Sequence, residues 1–207
     1  MARRYSLGIV EIAFRTGDHA VAAAEAARLG FDHIDIVGQE EGPLEVPVVD
    51  RYTVERPRAG WSTGAPPEAP GRWDRAVQRF RQAPGARIEP WGGSIINTVE
   101  KVRAFLAEAP ETRLLLDTGH VAAWGEDPAE LIPYAGHIQL RQARLGVNQA
   151  LEGDVDWAVF FGQLRRHDYR GALSIEYFDL PEMGLPLEDP VGYAVALAAE
   201  VRPLLSG

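Results

Sequence analysis

The chain of 207 residues is 46% apolar, 25% charged and 9% aromatic, which excludes collagen-like, low-complexity and wholly disordered chains. Thirty acidic residues against 21 basic ones leave a formal net charge of −9, the wrong sign for holding nucleic acid through its phosphates. Without cysteine there is neither a disulfide framework nor a thiolate metal site, so any metal must be held by carboxylate, imidazole, amide or water.

Short apolar runs alternate with helical patterns along the chain. Tyr5–Ile12 reads as a first strand, followed by a helix capped by Asp18 and stopped at Gly30. A second strand follows over Phe31–Val37 and a weaker third over Val46–Tyr52, punctuated by Pro47. Between Thr53 and Pro70 four prolines and two glycines rule out a regular helix. Trp73, Ala76, Val77 and Phe80 then recur at helical spacing, a strand spans Arg87–Trp91, and Ile95, Val99, Val102 and Leu106 mark the next helix. Leu114–Leu116 runs as a strand into Asp117, and Asp127-Pro128-Ala129-Glu130 carries the signals that open a helix. Gly136–Arg141 is a strand, and Trp157, Phe160, Phe161 and Leu164 share one helix face. Ala172–Glu176 is the last strand, before a final helix starting at Asp189-Pro190.

About seven strands alternating with helices predict an α/β fold, a TIM-type (β/α) barrel in one domain over residues 1–207. The expectation is a shortened barrel whose third βα unit lacks its helix. Exposed edges in such a barrel call for a covering partner, and a homodimer is expected. No run approaches the roughly 18 apolar residues that a membrane helix needs. The apolar stretch after Arg3-Arg4 is cut at Glu11, too short for a signal sequence, so a cytoplasmic protein without membrane contact is expected.

Polar residues close four later strands, in Arg87-Ile88-Glu89-Pro90, Leu114-Leu115-Leu116-Asp117, His137-Ile138-Gln139-Leu140 and Leu173-Ser174-Ile175-Glu176. In a parallel barrel the C-terminal strand ends converge on one mouth. Any one of these acids, taken alone, reads as a helix cap. Three carboxylates and an amide around a common axis, however, repel unless a cation sits between them. An oxygen-rich set suits Mg²⁺ or Mn²⁺ better than Co²⁺ or Zn²⁺.

These segments resemble the xylose isomerase-like TIM-barrel superfamily, which includes sugar phosphate isomerases and epimerases, inosose dehydratases and apurinic-site endonucleases. The likeness rests on Glu89, on Asp117-Thr118-Gly119-His120, on His137-Ile138-Gln139, on the turn Glu152-Gly153-Asp154-Val155-Asp156-Trp157 and on Glu176. It implies a divalent ion held by Glu89, Asp117, Gln139 and Glu176, with Gln139 where many members carry His. It further implies a metal-dependent isomerase or epimerase of a small sugar or hydroxy-carbonyl compound, working by proton transfer through an enediolate. Glu89 and Glu176 are then the base and acid. His120, Arg141 and Trp91 are the expected substrate contacts, Arg141 for a carboxylate or phosphate. A non-catalytic sugar-binding protein that retains the metal cup is the alternative, motivated by the shortened barrel. The endonuclease branch fits poorly, because it uses several His residues and this chain has five, with Asp154-Val155-Asp156 at the Gly-rich turn. His137, two residues before Gln139, is expected to be a packed residue one layer deeper in the barrel.

Overall fold

The computed structural model describes residues 4–183 and 185–206. Eight parallel strands form a closed barrel: β1 Leu7–Val10, β2 His33–Val37, β3 Val48–Tyr52, β4 Ser62–Gly64, β5 Arg87–Glu89, β6 Arg113–Asp117, β7 Ala135–Leu140 and β8 Leu173–Ile175. Closure is made by β1 against β8, with Leu7 opposite Leu173 and Ile9 opposite Ile175. Six α-helices surround it: α1 His19–Arg28, α2 Arg72–Arg81, α3 Val99–Glu108, α4 Thr118–Ala123, α5 Trp157–Arg166 and α6 Pro190–Val201. No helix among the described residues is long and apolar enough to cross a membrane.

The count of seven strands is corrected to eight. The missed strand, β4, is a three-residue element inside the Pro- and Gly-rich stretch, too short to show an alternation of its own. Pro66, Pro67 and Pro70 do forbid a helix there, yet they follow Gly64 and leave the strand's hydrogen bonds intact. Both β2–β3 and β3–β4 are joined without an α-helix. The barrel nevertheless closes, and with closure the argument for a dimer from open sheet edges falls. The segment opened by Asp127 is a 3₁₀ helix over Pro128–Tyr134.

Strand residues alternate in direction, and the two faces differ sharply in chemistry. Ile9, Ile34, Ile88, Leu114, Leu116, Ile138 and Leu140 are buried in the apolar layer between barrel and helices, with Ala22, Ala23 and Ala26 of α1 and Phe160, Phe161 and Leu164 of α5. The inward face is largely polar. His137 Nε2 lies 2.6 Å from Asp35 Oδ2, and His33 Nε2 lies 3.0 Å from Ser174 Oγ. Arg87 pairs with Asp50, whose Oδ2 accepts the Ser62 hydroxyl at 2.5 Å. Gly8 makes room for this packing: a Cβ there would lie 2.2 Å from His33 Cδ2.

Burial opposes charge on both members of the His137–Asp35 pair, but mutual attraction wins. Asp35 is held below the usual carboxylate value, while Asp35 and Asp50 raise His137 above the usual imidazole value. Asp50, by contrast, is raised, because its burial outweighs His137 and Arg87. The raised His137 contributes stability that is complete below the ordinary value of 6.5 and is lost as pH rises through the folded value. The lowered Asp35 contributes stability present above 3.8 and lost as pH falls. Urea unfolding across pH is therefore expected to show the advantage of wild type over His137→Gln largest between those limits and shrinking above about pH 6.5. An advantage that grows toward pH 9 would contradict this assignment.

Candidate functional site

A cavity of about 590 Å³ opens at the C-terminal end of the barrel. Glu89, His120, Gln139 and Glu176 line its floor, with Trp91 on its wall. Asp117 lies beside Gln139 in the register of β6 and β7 and is fully buried just behind that floor. One oxygen each of Glu89 and Asp117 and a ring nitrogen of His120 fall within 4.8 Å of one another. The strand ends expected to converge do converge.

The Asp117-Thr118-Gly119-His120 stretch assigns a separate task to each residue. Asp117 Oδ1 caps α4 by accepting the Gly119 N–H at 2.7 Å, so the capping role is real. Its Oδ2 faces the site, 3.4 Å from His120 Nε2 and in contact with Arg141. The Thr118 hydroxyl bonds both ways with the Arg141 backbone, accepting its N–H at 2.9 Å and donating to its carbonyl at 3.0 Å. Gly119 clears space: a Cβ would stand 2.5 Å from Arg141 Nε and 3.0 Å from the Asn148 carbonyl oxygen. His120 Nε2 lies 3.6 Å from Glu89 Oε1, while Glu89 Oε2 accepts the Tyr52 hydroxyl at 2.7 Å.

Arg141 stands apart from the expected arrangement. It is completely buried, paired with Asp117, 3.8 Å from Glu176 and packed 4.8 Å from the centre of the Phe178 ring. It does not line the cavity, so the structure corrects the assignment of Arg141 to a substrate carboxylate or phosphate. Its Nη2 faces the protein's own acids, while Nε and Nη1 are buried without a hydrogen-bond partner. His120 and Trp91 do line the cavity, and His137 lies one layer below Gln139, bonded to Asp35. Tyr52, which the sequence reading missed, was legible as the inward partner of Asp50 two residues along β3.

Charge in the site is unevenly held. Burial first, then the neighbouring Asp117, pushes the Glu176 carboxyl far above the usual range, with Arg141 opposing. For Asp117 burial also disfavours charge, but Arg141, His120 and the bonds from Glu176 and Gly119 hold it below its ordinary value. Burial also raises the Tyr52 hydroxyl, with the adjacent Glu89 adding to it, so Tyr52 remains a donor. Gln139 Oε1 and Glu176 Oε2 are buried and accept no hydrogen bond, although Arg141 Nη2 stands 3.8 Å from the latter. Oxygen lone pairs stripped of water and without donors are what a cation satisfies. With Glu89, Asp117 and His120, these residues could hold a metal ion.

Residues 53–199 match the family described as xylose isomerase-like TIM barrel, and the chain belongs to that family. No curated protein matches its sequence. Among solved structures it is similar to a xylose isomerase-like TIM barrel protein from Mycobacterium smegmatis in complex with magnesium, with a TM-score of 0.75 at 12% identity over 100% of this chain and 99% of that one. It is also similar to a 3-keto-D-glucoside 4-epimerase from E. coli, at 0.72 and 17% over 96% and 99%, and to an L-ribulose 3-epimerase, at 0.71 and 14% over 97% and 94%. At these identities the likeness establishes the fold.

Gly119→Ala tests the local architecture. The added methyl group is expected to displace Arg141 and cost about 1–3 kcal/mol of stability, read as a lower urea midpoint at unchanged slope. An unchanged midpoint would show that the approach of Arg141 to α4 is loose.

Proposed function

We propose that this protein is a divalent-metal-dependent isomerase or epimerase acting on a small sugar or other hydroxy-carbonyl compound. One observation carries the reading: Glu89, Gln139 and Glu176 line the floor of one cavity with Asp117 directly behind it, and two of their oxygens lack hydrogen-bond donors. Glu89, Asp117, Gln139 and Glu176 would hold the ion, with His120 beside Glu89 and Asp117. Such an ion lowers the cost of negative charge on adjacent carbonyl and hydroxyl oxygens when the carbon between them loses a proton. The neutral amide of Gln139 leaves more net positive charge at the centre than a carboxylate would, and favours Mg²⁺ or Mn²⁺ over softer ions.

The proton work falls to the two glutamates. Without an ion, burial and Asp117 both favour the neutral form of Glu176, and a bound ion would draw it toward the carboxylate that ligates. Glu89 is oriented by Tyr52, which engages Oε2 and leaves Oε1 toward His120 and the cavity. One carboxyl removes the proton from the reacting carbon and the other returns it, on the same carbon for an epimer or the neighbouring carbon for an isomer. Trp91 forms a fixed wall, because its Nε1–H donates to the Ala65 carbonyl at 2.7 Å. The names of the structural neighbours, two of them epimerases of ketose or keto-sugar compounds, support this direction. The alternative of a non-catalytic binder rested on an incomplete barrel, and the barrel is closed.

The test is solvent-deuterium incorporation into a panel of ketoses and aldoses, followed by proton NMR with Mg²⁺. Exchange is expected for at least one compound, slowed about 10²–10⁴-fold in Glu176→Gln and in Glu89→Gln. Exchange absent across the panel with Mg²⁺ and Mn²⁺, or undiminished in both variants, would overturn the reading.

A further inference from the structure

The upper part of the cavity differs in chemistry from its floor. Above the acids, the walls are Ile12, Val37, Val54, Trp91, Phe178 and Leu180, contributed by the ends of β1, β2, β3, β5 and β8 and the segments after them. Val54 is 82% exposed and Val37 41% exposed, so apolar side chains are held open to water at the mouth. Exposed apolar surface gathered in one concavity marks a ligand site.

Several polar groups around this cavity are engaged within the protein, while Gln139 Oε1, Glu176 Oε2 and His120 Nδ1 at its floor are not. Glu11 accepts the Val37 N–H at 2.6 Å and contacts His19. Asp35 is bonded to His137, Asp50 to Arg87 and Ser62, and Tyr52 to Glu89. The Trp91 N–H is turned to the Ala65 carbonyl. No Arg or Lys occurs among the described residues lining the cavity, whereas five carboxylates do: Glu11, Asp35, Asp50, Glu89 and Glu176. A phosphate or carboxylate tail would meet no cationic side chain there, whereas an apolar tail would cover the exposed Val37 and Val54.

We infer that the substrate is an uncharged α-hydroxyketone carrying an apolar alkyl or aryl substituent, its polar head on the acid floor and its substituent between Trp91, Val54 and Leu180. This rests on the isomerase reading above and narrows its substrate class, setting phosphorylated sugars aside.

Three compounds with the same reactive head separate the possibilities: 2-hydroxyacetophenone, dihydroxyacetone and dihydroxyacetone phosphate. Titration calorimetry with Mg²⁺ present is expected to show the phenyl compound binding at least about 10-fold more tightly than dihydroxyacetone, from burial of the ring. The phosphate is expected to bind more weakly than dihydroxyacetone. Val54→Lys, at an exposed position that the fold does not depend on, is expected to remove most of the phenyl advantage and raise affinity for the phosphate. Equal affinity for all three, no binding of the phenyl compound, or preference for the phosphate in wild type would each overturn the inference. Deuterium exchange on the same compounds keeps the two readings apart. Exchange of dihydroxyacetone without a phenyl preference sinks the inference alone, whereas the predicted binding order without any exchange sinks the isomerase reading alone.

Discussion

Buried negative charge gathered at one end of the barrel is the constraint on which the rest of the site depends. Glu89, Asp117 and Glu176 approach one another in buried positions, an arrangement that is costly unless positive charge or a proton is supplied. The chain supplies part of both. Arg141 is inserted behind the floor against Asp117, and Glu176 is pushed toward its protonated form. Thr118 and Gly119 act on Asp117 through Arg141, one by bonding its backbone and the other by leaving space for its side chain. The donorless oxygens of Gln139 and Glu176 mark where this internal compensation is incomplete.

A polar barrel interior makes this placement possible. The apolar core lies outside the barrel, between strands and helices, and carries the hydrophobic stabilisation. Inside, Asp35 with His137 and Asp50 with Arg87 and Ser62 form a hydrogen-bonded layer next to the acid floor. Asp35, Asp50 and His137 are close enough to be mistaken for a second metal centre, but each is already bonded to protein partners. The two ends of the barrel interior thus differ in how completely their polar atoms are satisfied.

The outline of the fold and the floor of the site were legible because both depend on local signals. A strong apolar run marked β6, Asp18 capped α1 as its position predicts, and the acids at the ends of β5, β6 and β8 stood out against buried neighbours. β4 escaped notice because three residues cannot display a period, and barrel closure depends on pairing across the whole chain. The position of Arg141 was misjudged for a related reason. A charged residue just after a strand reads as exposed, and only the packing of Asp117, Gly119 and Phe178 around it shows why it is buried. The apolar mouth was equally hidden, since its members come from five separate segments.

The central claim is that the four strand-end residues share one divalent ion, and the most direct measurement is anomalous X-ray diffraction from crystals grown with Mn²⁺. The account predicts one strong peak within about 2.0–2.6 Å of oxygens from Glu89, Asp117, Gln139 and Glu176, with the Arg141 guanidinium drawn away from Asp117 Oδ2. A peak placed instead among Asp35, Asp50 and His137, or no peak while Arg141 keeps its contact with Asp117, would contradict it.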